Sequence, residues 1–162
     1  MRVRDLMSKQ VYACRSNDSL EKAAQLMWDH DCGCIPVCGG GNDGASNTAI
    51  GVITDRDICM NALFRGKPLR ELTVGDAMAK EVRVCHPNDT LAVAERSMCD
   101  AQIRRLPVVD DTGTLLGMIS LSDLAREAAR ERGSHHKKVT ETEVGDTLAA
   151  ICESSRPSSL VA

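Results

Sequence analysis

Thr54, Arg56 and Asp57 stand together in Gly51-Val-Ile-Thr-Asp-Arg-Asp57, and Ser120, Ser122 and Asp123 repeat that layout in Gly117-Met-Ile-Ser-Leu-Ser-Asp123. An ionised carboxylate only accepts hydrogen bonds, so Asp57 and Asp123 suit the two adjacent hydroxyls of a ribose. The hydroxyls of Thr54, Ser120 and Ser122 can donate to phosphate oxygens, and Arg56 adds a charged fork. In each stretch the apolar run reads as a buried strand and the acid as part of a helix's first turn. Unpaired backbone N–H groups and partial positive charge gather there and favour an anion. Thr-x-x-Asp is also a capping box, which needs no ligand. A single copy favours that plain reading. Two copies in matching places favour binding, and one hydroxyl can serve both purposes.

The elements that must position these residues occur twice. Val3, Asp5 and Met7 fall on Val74, Asp76 and Met78 at one constant offset, which also carries Cys14 onto Cys85, Leu20 onto Leu91, Met27 onto Met98 and Pro36-Val37 onto Pro107-Val108. Beyond that dipeptide the offset shortens, because the following loop is longer in the first copy. The expected organisation is two related units, residues 1–64 and 74–133, with 65–73 as linker and 134–162 as a tail outside the repeat. One unit alone cannot cover its apolar faces.

Each unit reads the same way. A helical lead-in (3–7; 74–78) precedes a short strand (10–13; 81–84). Asn17-Asp18 and Asn88-Asp89 are expected to cap helices over 19–30 and 90–101, whose apolar stripes run through Leu20, Ala23 and Met27, and through Leu91, Ala94 and Met98. Two hairpin strands follow in each unit, 34–38 with 49–54 and 105–109 with 115–120, joined by loops rich in Gly, Asn and Asp. Closing helices are expected over 55–63 and 121–132, the latter stopped by Gly133, and a short helix over 144–151 in the tail. The fold class is α/β (α+β), two tandem β-α-β-β-α repeats related by pseudo-two-fold symmetry.

Composition narrows the function. The 162 residues carry a formal charge of −3 and only 2% aromatic side chains. This argues against nucleic-acid or membrane binding through bulk charge and against base stacking on aromatic platforms. The amino terminus has no apolar signal-peptide core and no run reaches membrane-spanning length, so a cytoplasmic protein with reduced thiols is expected. Cys32-Gly-Cys34 is too closely spaced for a zinc knuckle and no C-x-x-C pair exists, so the cysteines read as small buried hydrophobes. The Gly-rich loop at 39–44 is no P-loop, since no Gly-Lys-Ser/Thr follows. The His135–Lys138 patch reads as solvated. Spacing pairs no Ser or Cys with a His and an acid, so no enzymatic activity is expected.

Units with apolar-Pro-Val ahead of a hairpin and Gly-x-x-Thr/Ser-x-x-Asp after it, used twice, resemble the cystathionine β-synthase (CBS) domain pair, or Bateman module, from about Val3 to Arg132. The resemblance implies a free-standing regulatory module that requires no cofactor. It would bind an adenine nucleotide or other adenosyl compound, with AMP ahead of ADP, ATP and NAD. It would form a disc-like homodimer through its second helices and signal to a regulated partner protein. Two clefts, each lined by both units, are also implied. The first combines Thr54, Arg56 and Asp57 with Arg83, which meets adenine through its backbone, and with the phosphate-facing Arg104 and Arg105. The second combines Ser120, Ser122 and Asp123 with Tyr12, the counterpart of Arg83. There Gly33-Cys34 stand in place of the two arginines, and Ser122 in place of Arg56. The second cleft therefore lacks local cations unless Arg104 and Arg105 reach it centrally, and the first is expected to hold a phosphorylated nucleotide more tightly. The alternatives are a ligand-free dimerisation scaffold and a cysteine-based metal or redox protein.

Overall fold

Twin sets of elements follow one another along the chain. In the computed structural model, which describes residues 1–39, 47–134 and 136–153, α1 (Val3–Leu6) is followed by β1 (Cys14–Arg15), α2 (Leu20–Asp29), the hairpin strands β2 (Cys34–Gly39) and β3 (Thr48–Thr54), and α3 (Asp55–Arg65). After a single 3-10 turn at Leu69–Glu71 the order resumes with α4 (Val74–Ala77), α5 (Leu91–Ala101), β4 (Arg105–Val109), β5 (Leu115–Ser120) and α6 (Leu121–Arg130), and then α7 (Glu141–Cys152). β2 pairs antiparallel with β3 and parallel with β1, and β4 pairs antiparallel with β5. The apolar stripes of α2 and α5 are buried as expected, and each unit has its own core. Fully burying a side chain such as Ile35 or Leu106 contributes about 1.5–3 kcal/mol.

The lead-in helices are exchanged between the cores. Val3 of α1 packs in the second core with Met98, Leu106 and Leu124, whereas Val74 of α4 packs in the first with Leu20, Ile35 and Ile53. The backbone follows suit: Ser8 bridges Met118 and Ala79 bridges Val52, while Arg2 bridges Thr90 and Thr73 bridges Ser19. The repeat offset interchanges the members of these pairs, which is the pseudo-two-fold symmetry read from the sequence. Only glycine allows the crossing chain so close. A Cβ at Gly117 would stand 2.7 Å from the Ser8 carbonyl oxygen, and one at Gly51 would stand 2.9 Å from that of Ala79.

Several boundaries differ from expectation. Residues 10–13 and 81–84 are not strands: β1 begins at Cys14, and its counterpart is one parallel bridge from Cys85 to Val108. The exchange is the reason. Ser8 is hydrogen-bonded to Met118 of the other unit, and pairing with the unit's own hairpin starts only where Cys14 and Cys85 enter the core. The helix caps are Ser19 and Thr90, whose hydroxyls accept from the N–H of Lys22 (3.2 Å) and Val93 (3.4 Å). Asp18 and Asp89 instead accept from the N–H three residues earlier, at Arg15 (2.8 Å) and His86 (2.7 Å), and close the turns leading into the helices. α3 runs on to Arg65, where Gly66 at φ 60° supplies a left-handed cap. α6 stops at Arg130, short of Gly133, and a Thr140–Glu143 capping box starts α7 ahead of the expected 144.

α7 packs across α5 and α6. Ile151 enters the second core, and Cys99 Sγ lies 3.9 Å from the Thr147 carbonyl oxygen. No helix among the described residues is long and apolar enough to cross a membrane. The Gly-rich loop expected over 39–48, His135 of the basic patch and the Ser/Pro-rich stretch 154–162 fall wholly or partly outside the described residues.

Candidate functional site

β3 and β5 end on Thr54 and Ser120, and a helix begins at the next residue, so each hydroxyl residue is an N-cap and each acid stands at the third helical position. Thr54 Oγ1 donates to Asp57 Oδ2 (2.7 Å) and accepts from Asp57 N–H (3.1 Å), while Thr54 N–H donates to the same Oδ2 (2.9 Å). In the second unit Ser120 Oγ donates to Asp123 Oδ2 at 2.6 Å, Ser120 N–H donates to it at 2.8 Å, and Asp123 N–H returns a bond to Ser120 Oγ at 3.3 Å. The capping box is therefore formed twice, and it commits Oδ2 of each acid. The other oxygen differs. Asp57 Oδ1 has no partner among the described residues, whereas Asp123 Oδ1 is paired with the Arg126 guanidinium.

A cavity of about 430 Å³ opens on the seam between the units beside Asp123. The second unit lines it with Arg105, Met118, Ser120, Ser122, Asp123 and Arg126, and the first with Ser8, Val11, Tyr12, His30, Cys34 and Pro36 among others. The Tyr12 ring is stacked on His30 with centroids 3.3 Å apart, and its hydroxyl accepts from Gln10 Nε2 at 2.7 Å. Of the expected site residues, Tyr12, Arg105, Ser120, Ser122 and Asp123 are thus brought together. Thr54, Arg56, Asp57, Arg83 and Arg104 are not among the residues lining this cavity. The Arg104 guanidinium instead lies 3.8 Å from Cys152 Sγ of α7.

Arg105 lines this second cavity, as the sequence reading allowed, and Arg126 lines it too, a cation which that reading did not include. Arg105 starts β4 directly opposite Ser120, so hairpin register brings it to the wall that carries Asp123. Arg126 escaped the sequence reading. One turn beyond Asp123 it resembles any solvated helix residue, and the available signal was that the repeat offset matches it with Met60.

Burial pushes the Cys34 thiol up to about 11, against the opposing pull of Arg105. Burial likewise pushes Cys14 and Cys85 up to about 12, and their sulfurs sit 3.9 Å from the carbonyl oxygens of Pro36 and Pro107. Near neutral pH these thiols are protonated, which suits them poorly to nucleophilic chemistry. Among the described residues no three His, Cys, Asp or Glu side chains group closely enough to hold a metal ion.

The CBS-domain family profile matches residues 3–62 and 74–130, most of the chain. The chain belongs to the CBS-domain family. It is 37% identical over 123 residues to the CBS domain-containing protein YhcV of Bacillus subtilis, a match covering 76% of this chain and 82% of that protein. Among solved structures, the CBS domain pair of protein MJ0100 in complex with 5′-methylthioadenosine and S-adenosyl-L-methionine matches with a TM-score of 0.67 at 25% identity, covering 78% of this chain and 94% of that one. Hypoxic Response Protein I, solved with two coordinated zinc ions, matches with a TM-score of 0.68 at 29% identity, covering 78% and 98%. The chain is thus a CBS pair, with two repeats whose elements exchange their lead-ins.

Proposed function

We propose that this CBS pair is a regulatory, non-catalytic module that binds an adenine nucleotide, AMP foremost, in the cavity beside Asp123. The observation that carries the reading is the 430 Å³ volume drawn from both units, which lies within the span of small-molecule sites. Its polar groups match the ligand in kind: an acceptor carboxylate for ribose, and the hydroxyl of Ser122 with the guanidinium of Arg105 for phosphate. The MJ0100 pair, with its two adenosyl compounds, supports the ligand class. This reading places the nucleotide in the second cleft rather than the first. A ligand held by both units favours the arrangement in which they are locked together, and a regulated partner protein reads that change.

The module works as a homodimer, and α2 and α3 are its contact. The groove between these helices is open and lined in part by Met27, Trp28 and Ile58. Trp28 is 85% exposed, Phe64 79% and Leu63 68%. The matching groove between α5 and α6 is covered by α7, which leaves the first unit's helices as the apolar face available to a second copy. This exposed face also favours a second reading, a dimerisation scaffold without ligand.

A thermal-shift screen with AMP, ADP, ATP, NAD and S-adenosylmethionine separates the two. At a hundredfold excess over Kd a ligand adds about 2.7 kcal/mol, or about 5–10 °C for a chain of this size. The scaffold reading predicts no shift with any of the five.

A further inference from the structure

We infer that Arg126 determines ligand specificity in this cavity: its guanidinium is a transferable cation that leaves Asp123 for the ligand's phosphate, so the site takes phosphorylated adenosine in preference to the uncharged nucleoside. The inference rests on the nucleotide reading and deepens it.

Asp123 is nearly buried and its Oδ2 is committed to the Ser120 capping box. Oδ1 is therefore the oxygen left for a ribose hydroxyl, and it is the oxygen that Arg126 holds. The Arg126 side chain is 72% exposed and also lines the cavity, so its long stem can swing with little packing to disrupt. The first unit lacks this device. Its carboxylate has the same capping bonds, but Met60 occupies the matching place and Asp57 Oδ1 has no partner among the described residues. Conversely, Arg56 of the first unit is matched by Ser122. The cation has in effect moved one turn along the helix, from beside the acid to a position where it grips it.

The exchange follows from donor counting. A guanidinium has five N–H donors and no acceptor, and a carboxylate has no donor. A ribose hydroxyl arriving at Oδ1 competes with Arg126 for it. If the ligand also carries a phosphate, the released guanidinium gains a stronger, multiply charged acceptor close to Arg105. If the ligand is a nucleoside, Arg126 loses its partner and gains none. The pair therefore opposes neutral ligands and is neutral or favourable toward phosphorylated ones. Asp31, the other carboxylate on the cavity wall, adds to the disfavour for any further negative charge that is not met by an arginine.

The test is calorimetric titration of the full chain with AMP and with adenosine, in the wild type, in Arg126→Met, which carries the first unit's residue, and in Arg126→Lys, which keeps the charge. The wild type is expected to prefer AMP at least tenfold. Arg126→Met is expected to weaken AMP at least tenfold and to leave adenosine equal or tighter, while Arg126→Lys retains most of the preference. If AMP and adenosine change by the same factor in Arg126→Met, or neither changes, the inference is overturned while the nucleotide reading stands. If the wild type binds neither compound, the nucleotide reading fails first and takes the inference with it.

Discussion

Gly117→Ala tests the exchange of lead-ins, on which the whole seam depends. The added Cβ would stand 2.7 Å from the Ser8 carbonyl oxygen and 3.1 Å from Met7 Sδ. The methionine can turn aside but the carbonyl cannot, because Ser8 and Met118 exchange two backbone hydrogen bonds of 2.9 Å next to the glycine. Relief needs a backbone shift of roughly half an ångström or more. That strains both bonds, each worth about 1 kcal/mol net, and adds the overpacking cost of about 1–3 kcal/mol. The alanine recovers about 0.5–1 kcal/mol of chain entropy. The net loss is about 2–3 kcal/mol, a fall in Tm of about 5–10 °C. Gly145→Ala is the control: it lies inside α7 with nothing within 4 Å of its added Cβ, and it is expected to stabilise by up to about 1 kcal/mol. Thermal and urea unfolding followed by far-UV circular dichroism reads both. A Tm for Gly117→Ala within a degree of wild type would show that the crossing chain is not held at this point. Ser8 and Met118 also line the cavity, so AMP affinity should fall with stability in this variant and not in Gly145→Ala.

Asp123→Ala should weaken AMP about 10–100-fold, the worth of a charge-assisted hydrogen bond, while Asp57→Ala leaves it within about threefold; equal losses in calorimetry would refute placement in the second cleft. Glu95→Gln should stabilise the chain at pH 7 by about 1 kcal/mol and hardly at pH 4. Burial and the nearby Glu143 raise the Glu95 carboxyl above its ordinary 4.5, so the folded chain holds this proton more tightly than the unfolded one. Glu95 therefore costs stability as pH rises above that ordinary value, and its Oε1 is buried without a partner among the described residues. Melts at the two pH values decide the sign. Phe64→Glu should convert a dimer to monomer in sedimentation velocity with Tm unchanged at low concentration; an unaltered dimer would move the contact off α3.

Local pattern made much of this architecture legible. β4 and β5 span the expected residues because alternation and turn chemistry are written within the hairpin itself. The stripe of Leu91, Ala94 and Met98 likewise needs only helical spacing. What escaped was long-range. Nothing inside 3–7 says that Val3 belongs to the core of Leu106, since two equivalent cores offer the lead-in equivalent holes. That ambiguity misplaced the first strands, whose backbone is drawn toward the other unit before Cys14. The start of α7 was readable, because Thr140-Glu-Thr-Glu143 is a capping box. Arg105 was assigned to the first cleft by family resemblance, with a central reach to the second left open, and β4 register sets it opposite Ser120.

The two readings of Thr/Ser-x-x-Asp are geometrically compatible. A capping box uses one carboxylate oxygen and fixes the side chain's rotamer through two bonds from its own N-cap. An acid fixed in this way has its second oxygen held in one direction before any ligand arrives, and preorganisation of this kind lowers the ordering cost of binding. On the proposed nucleotide reading the cap is thus the positioning device for the binding atom, and the two units differ in what meets that atom. In the first it has no partner among the described residues; in the second it is held by Arg126 over a cavity. A repeat keeps its helix starts for folding, while the residue one turn further on is free to vary and can set what each copy accepts. If that is so, exchanging Met60 and Arg126 between the units should leave the melting curve nearly unchanged and abolish the AMP preference of the second cleft. A large loss of stability from the exchange would show instead that the Asp123–Arg126 pair belongs to the fold rather than to the ligand.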